Sequence, residues 1–309
     1  MKNWKAVAAV LGAVALLALG SCSSAAPTAV DGGKLEVQVA FYPFGFIAER
    51  VGGDAVSVAS LTRAGTEPHD LELTPQQIAA LSTSDLVIYQ SGFQPAVDTA
   101  VEQAQPRRVV DTASFLTMLT ATADGAEPAD GTDNHTSVDP HTWLDPTNMV
   151  TIAEHVRDAL TEARPEAAAE FAANTEKLAA DLTALDAGIK ADLTGCAIKP
   201  FITSHAAFGY FAARYGLTQV GIRGLEPDVE PSASRIAEVQ QIATANHVTT
   251  IFFETLVSPV VAQSVAGDLG LKTDVLDPLE GITAESRGTA YLQVMRANAT
   301  SLKAANQCS

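Results

Sequence analysis

The sequence predicts an α/β protein of two lobes, each a parallel sheet with flanking helices, joined by a long helix. Three observations carry this. Short β-branched or apolar runs alternate with helix-forming stretches, the pattern of strands paired in parallel with helices on their faces. The alternation occurs twice with the same rhythm, without an exact sequence repeat. Between the two halves, residues 165–193 have Phe171, Leu178, Leu182, Leu185 and Ile189 as an apolar stripe at helical spacing. A continuous helix there spans roughly 43 Å at 1.5 Å per residue, too long for one small lobe.

In the first half, "LEVQVAF" (35–41), "AVSVASL" (55–61), "DLVIYQ" (85–90) and "RRVVD" (107–111) read as strands. "FGFIAERVG" reads as a helix ending at Gly52-Gly53, and Pro75, after the N-cap Thr74, starts another. A further helix starts at Pro95. Residues 120–140 are acidic, rich in small residues and without apolar period, hence a loop. From Pro146 a helix carries Ile152, Val156 and Leu160, and Pro165 suits the first position of the next. In the second half, strands are expected at 199–203, 217–222, 249–253 and 272–276. Helices are expected at 207–215, 232–245, 259–268 and 285–303.

The N-terminus reads as an export signal. Lys2 and Lys5 precede an apolar run, residues 6–19, shorter than the ~20 residues a spanning helix needs. "LGSC" (19–22) resembles a bacterial lipobox, which makes 1–21 a lipoprotein signal peptide and Cys22 the lipidated residue. The chain is then expected on the outer face of the cell membrane. Residues 22–34 read as a flexible tether. The expected domains are an N-terminal lobe at 35–163, a linking helix at 164–194 and a C-terminal lobe at 195–309.

The chain carries 36 acidic against 19 basic residues, a net charge of −17, and loss of Lys2 and Lys5 makes it more acidic still. This argues against nucleic acid and anionic lipid headgroups as partners. Beyond Cys22 two cysteines remain, Cys196 and Cys308, and an even count in an exported chain suggests a disulfide.

Four residues stand out by context. His69 follows the strand 55–61, His141 follows the acidic loop, His205 follows the strand 199–203, and Asp277 follows the strand 272–276. Ligands of open α/β sheets bind at the C-terminal ends of the strands. Three imidazoles and a carboxylate suit tetrahedral zinc, and three nitrogens favour zinc, copper or nickel over magnesium or calcium. Their spacing is not in itself a motif: there is neither HExxH nor Cys-x-x-Cys. His155, on a helix, His247, at a strand entrance, and His135, in the acidic loop, read as ordinary polar residues.

Five segments carry a resemblance: "GTEPHDLELTP", "DPHTWLDPTNM", "FITSHAAFGYFAARYGL", "IFFETLVSP" and "DVLDPLEG". The chain resembles the metal-specific (zinc or manganese) solute-binding proteins of bacterial ABC importers over about residues 35–303. The resemblance implies two α/β lobes joined by a rigid helix, with the ion between them on His69, His141, His205 and Asp277. It implies a monomeric receptor, not an enzyme, that delivers its ion to a permease with a cytoplasmic ATPase. Manganese members of the family tend to carry Glu at the third ligand position, so His205 favours Zn2+, with Mn2+ as the alternative. The acidic 120–138 stretch departs from the long His-rich loop of many zinc members. Glu230 and Glu254 are candidates to hold the free ring N–H of ligating histidines, and Trp143 and Phe208 to pack around the site. A zinc hydrolase with Glu67 as general base is the second reading. It needs three ligands and an open water position.

Overall fold

The computed structural model describes residues 33–120 and 138–309. The expected signal peptide 1–21, Cys22, most of the tether 22–34, and the acidic stretch with His135 lie outside these residues. No helix among the described residues is long and apolar enough to cross a membrane.

Two parallel four-stranded sheets form the frame. The first contains β1 (Leu35–Val39), β2 (Val56–Ser60), β3 (Leu86–Tyr89) and β4 (Val109–Asp111) in the order β2-β1-β3-β4. The second contains β5 (Pro200–Thr203), β6 (Thr218–Gly221), β7 (Thr250–Phe253) and β8 (Lys272–Val275) in the order β6-β5-β7-β8. All six pairings are parallel. The two halves therefore share one topology, with the strand order reversing beside β1 in one and beside β5 in the other. β3, "LVIY", is buried along most of its length, and α4 packs against it.

The helices are α1 (Tyr42–Gly52), α2 (Pro75–Thr83), α3 (Pro95–Ala104), α4 (Pro146–Ala163), α5 (Ala168–Asp192), α6 (Gly209–Tyr215), α7 (Ala233–Ala245), α8 (Val260–Leu269) and α9 (Tyr291–Ala305). α2 starts on a full capping box: the Thr74 side chain accepts from Gln77 N, and the Gln77 side chain accepts from Thr74 N. α4 starts at Pro146 after Asp145, whose carboxylate accepts from Thr147 N at 2.8 Å.

Two helix expectations are corrected. Pro165 opens a short 3-10 turn, Pro165–Ala167, before α5 begins. The last helix begins at Tyr291, not at 285. Ser286 is drawn into a turn, accepting from Thr283 N at 3.1 Å and donating to Asp277 at 2.6 Å.

α5 has 25 residues, about 37 Å long, and packs on α1, α4 and α9 through Phe171, Leu178, Leu182, Leu185 and Ile189. Polar ties mark its course across both halves. Arg50 of α1 meets Asp181 at 2.6 Å, Arg214 of α6 grips Asp186 at 2.8 and 2.6 Å, and Lys303 of α9 meets Asp192 at 3.3 Å. One apolar core runs from the first sheet through α5 into Phe201, Phe252, Leu276 and Tyr291 of the second half. A smaller core lies around Ile202, Ile251 and Val239.

Cys196 and Cys308 form a disulfide across a sequence separation of 112, tying the C-terminus to the segment that follows α5. A cross-link of that span removes roughly 4–5 kcal/mol of loop entropy from the unfolded chain. The double variant Cys196→Ser, Cys308→Ser is expected to lose about that much unfolding free energy in a urea titration.

Candidate metal centre

Polar anchors position each histidine. His69 lies in the loop after β2. Its backbone N–H donates to the Glu67 carboxylate at 3.1 and 3.0 Å, and buried Gln94 donates to Pro68 O at 2.9 Å. Buried Gln90, at the end of β3, donates to Pro140 O and accepts from the hydroxyls of Thr112 and Thr142, which fixes the segment carrying His141. His205 follows β5, and its backbone N–H donates to Glu254 at 3.2 Å. Phe41, Phe93 and Trp143 back the first two histidines: the His69 ring stands edge-on to Phe93 at 4.7 Å, and His141 lies 5.2 Å from Trp143.

The three rings converge. His141 and His205 are fully buried and His69 nearly so. The Nε2 atoms of His141 and His205 are 3.3 Å apart. One oxygen, Oε1 of Glu280, lies 3.4 Å from Nε2 of His69, 3.4 Å from that of His141 and 3.6 Å from that of His205. Four ligand atoms all within 4.8 Å of one another thus surround one point, two from each half of the chain.

The carboxylate in this group is Glu280, which corrects the expectation of Asp277. Asp277 is buried, but both its oxygens are taken. Oδ1 accepts from Leu279 N at 2.8 Å, and Oδ2 accepts from the Ser286 hydroxyl at 2.6 Å. Asn298 of α9 grips the Asp277 backbone from both sides, accepting from its N–H at 3.0 Å and donating to its carbonyl at 2.7 Å. The turn continues through Leu279, a buried residue at φ 60, in the left-handed region that leucine rarely adopts. This bend presents the next side chain, Glu280, to the histidines.

The carboxylates beside the outer ring nitrogens also differ in part from expectation. Glu254 Oε2 lies 2.7 Å from Nδ1 of His205. Asp139 Oδ1 lies 2.9 Å from Nδ1 of His141 and also accepts from its backbone N–H. Glu226 Oε2 lies 3.2 Å from Nδ1 of His69. Glu230, the other sequence candidate, is exposed. A carboxylate at Nδ1 directs the Nε2 lone pair inward and raises ligand basicity. Gly209, the first residue of α6, is required here: a Cβ on it would stand 2.2 Å from Asp139 Oδ2 and push that carboxylate off His141. Phe208 packs with Phe201 and Phe211 in the core.

Trp143 joins the two halves at the site. Its indole N–H donates to Pro278 O at 2.7 Å, inside the turn that carries Glu280, and its carbonyl accepts from the Tyr291 hydroxyl at 2.6 Å. Tyr210 of α6 donates to Asp139 O at 2.9 Å.

The electrostatics favour a cation. Burial by itself pushes the Glu280 carboxyl up, but the facing imidazoles of His141, His205 and His69 outweigh it and hold it well below the usual carboxylate range. Burial disfavours protonated His69, yet Glu226 and Glu280 raise it to about 9. Burial likewise opposes a charged His205, and Glu254 and Glu280 hold it well above its ordinary value. Among the described residues of the site, His69 Nε2, His205 Nδ1 and Glu280 Oε1 are buried with no hydrogen-bond partner. Buried polar atoms without partners are costly, and a cation at the common point would engage His69 Nε2 and Glu280 Oε1 together with Nε2 of His141 and His205. Ligand atoms about 2.0–2.1 Å from a tetrahedral zinc stand roughly 3.3–3.4 Å from one another. Four of the six separations, 3.3 to 3.6 Å, lie close to that spacing, and all are within 4.8 Å.

A family model described as ZnuA, zinc-uptake complex component A, periplasmic, matches residues 37–305. The zinc-binding lipoprotein AdcA of Streptococcus pneumoniae is 33% identical over 306 residues, covering 97% of this chain and 60% of the relative. The high-affinity zinc uptake system protein ZnuA of Bacillus subtilis is 31% identical over 311 residues, covering 98% of this chain and 97% of the relative. The chain thus spans about 60% of the length of AdcA but nearly all of the Bacillus protein. The crystal structure of the Zn(II)-bound ZnuA-like domain of S. pneumoniae AdcA has a TM-score of 0.74 at 33% identity, covering 89% of this chain and 99% of that domain.

Proposed function

This chain belongs to the ZnuA family, zinc-uptake complex component A, and on that premise we propose that it captures one Zn2+ between its lobes and delivers it to an ABC permease with a cytoplasmic ATPase. One observation carries the reading: the Nε2 atoms of His69, His141 and His205 and Oε1 of Glu280 all lie within 4.8 Å of one another, with the Glu280 oxygen 3.4 to 3.6 Å from each nitrogen. Three imidazole nitrogens favour zinc over manganese, which prefers more oxygen. The lobes are taken as 35–163 and 195–309, with 164–194 between them. The chain acts as a monomer, held at the outer face of the cell membrane through Cys22.

The residues do the binding by preorganisation. Asp139, Glu254 and Glu226 direct the three rings, Asn298 and the left-handed Leu279 aim Glu280, and the aromatic wall keeps water out. Four protein ligands complete a closed tetrahedron, unlike a catalytic zinc site, which leaves a position for water. Glu67, the general base of a hydrolase reading, accepts from the His69 backbone, with one oxygen 3.9 Å from His69 Nε2. Delivery therefore requires the lobes to part.

The test is titration of the whole chain with zinc against a competing chelator across a range of pH. Without zinc, His69 titrates at about 9, and His205 too is held above its ordinary value. Binding needs both rings neutral, so it displaces protons. The affinity is expected to fall as pH drops from about 9 to about 6, by up to roughly tenfold per unit for each proton displaced. Calorimetry in buffers of different ionisation enthalpy should report at least one proton released at neutral pH. A stoichiometry well below one ion per chain, or an affinity flat with pH, contradicts the reading.

A further inference from the structure

The three carboxylates beside the histidine Nδ1 atoms do not come from equivalent places. Asp139 precedes His141 by two residues on the same segment. Glu254 follows β7 and His205 follows β5, adjacent strands of one sheet. Glu226 follows β6 of the second sheet, whereas His69 follows β2 of the first. Their 3.2 Å contact crosses from one lobe to the other. The loop bearing Glu226 is fixed at its start to the second lobe: Arg223 N donates to Ser204 O at 2.9 Å, and Ala206 N donates to Gly224 O at 2.8 Å. Glu226 is thus carried by the second lobe and His69 by the first.

Exposure separates them further. The Glu226 side chain is 62% exposed, against 6% for Asp139 and 2% for Glu254. Two of the orienting carboxylates are sealed in with their histidines. The third reaches its histidine from the solvent side and across the cleft.

We propose that Glu226 is a cross-cleft latch, a positioning residue that holds His69 in its ligating orientation while the lobes are together and frees it when they part. The proposal rests on the metal-receptor reading above. It makes His69 the first ligand to leave, and it places Glu226 in control of release, not capture.

Stopped-flow transfer of zinc from the loaded full chain to excess chelator tests this. Loss of a carboxylate partner of a ligating histidine lowers metal affinity about 10–100-fold. Glu226→Ala is expected to speed zinc dissociation by that factor, with the association rate within about threefold of the parent. Glu226→Gln keeps an acceptor without the charge and should fall between. The metal-free variant should stay folded, because the Glu226 side chain is exposed, with only a modest fall in melting temperature from the lost contact to His69. Glu230→Gln, an equal charge change on the same loop, should leave dissociation at the parental rate. Parental dissociation in Glu226→Ala overturns the latch, and so does an affinity loss carried by the association rate. Glu280→Gln run in parallel separates the two failures. If that variant releases zinc rapidly while Glu226→Ala does not, the latch alone is wrong. If it holds zinc like the parent, the metal-centre reading fails and the latch with it.

Discussion

Glu280→Gln is expected to weaken zinc binding by about 10²–10³-fold, and Asp277→Asn by no more than about tenfold. Glu280 presents one oxygen to three imidazole nitrogens at 3.4 to 3.6 Å from full burial. Removing one partner from a buried charge cluster costs roughly 3–5 kcal/mol, and each 1.4 kcal/mol is tenfold in a binding constant. Asp277 acts at one remove. Its Oδ1 accepts from Leu279 N and its Oδ2 from Ser286, and an asparagine oxygen can still hold the first of these. A neutral replacement in a hydrogen bond is worth about 1 kcal/mol. The contrast is read by chelator competition on the two variants side by side. An Asp277→Asn loss equal to that of Glu280→Gln would show that the turn fails as a unit.

Trp143→Ala is expected to lower the unfolding free energy by about 3–5 kcal/mol, the range for emptying a buried aromatic site. The indole is fully buried against Phe41 and Phe93, at 4.7 and 5.3 Å between ring centroids. Its loss also leaves Pro278 O without its donor. Because Pro278 sits in the turn that carries Glu280, the variant should lose zinc affinity as well as stability. Trp143→Phe separates the two effects: it fills most of the cavity but cannot donate to Pro278. Urea titrations of the metal-free variants give the stability cost, and chelator competition gives the affinity cost. A Trp143→Ala chain as stable as the parent would show that the two halves are not joined through this side chain.

The fold was legible in the sequence because its signals are local. β-branched runs bounded by turns gave the strands, and the stripe Phe171, Leu178, Leu182, Leu185, Ile189 gave α5. The strand order within each sheet was not legible, since it depends on which runs meet in space. The start of α9 was misplaced for a similar reason. Residues 285–290 read as helical until Ser286 is seen bonded to Asp277 and Thr283, contacts distant from its own helix.

The site divides in the same way. The three histidines stood out because each lies in a loop beyond a strand or at the end of the acidic segment. The choice among nearby carboxylates was not readable. In "LDPLEG" Asp277 and Glu280 are three residues apart, and the left-handed backbone of Leu279, invisible in composition, turns one inward and the other into the turn. In "GLEPDVEP" Glu226 and Glu230 both precede proline, and the path of the loop alone brings Glu226 to His69. Asp139, two residues before His141, had a weak local signal, since a side chain two residues back can reach both the backbone N–H and the ring.

The most direct test of the central claim is a crystal structure of the zinc-loaded chain with anomalous data at the zinc edge. One strong peak per chain is expected, about 2.0–2.1 Å from Nε2 of His69, His141 and His205 and at similar distance from a Glu280 oxygen. A peak elsewhere, or zinc held by Asp277 with Glu280 turned away, would contradict the claim.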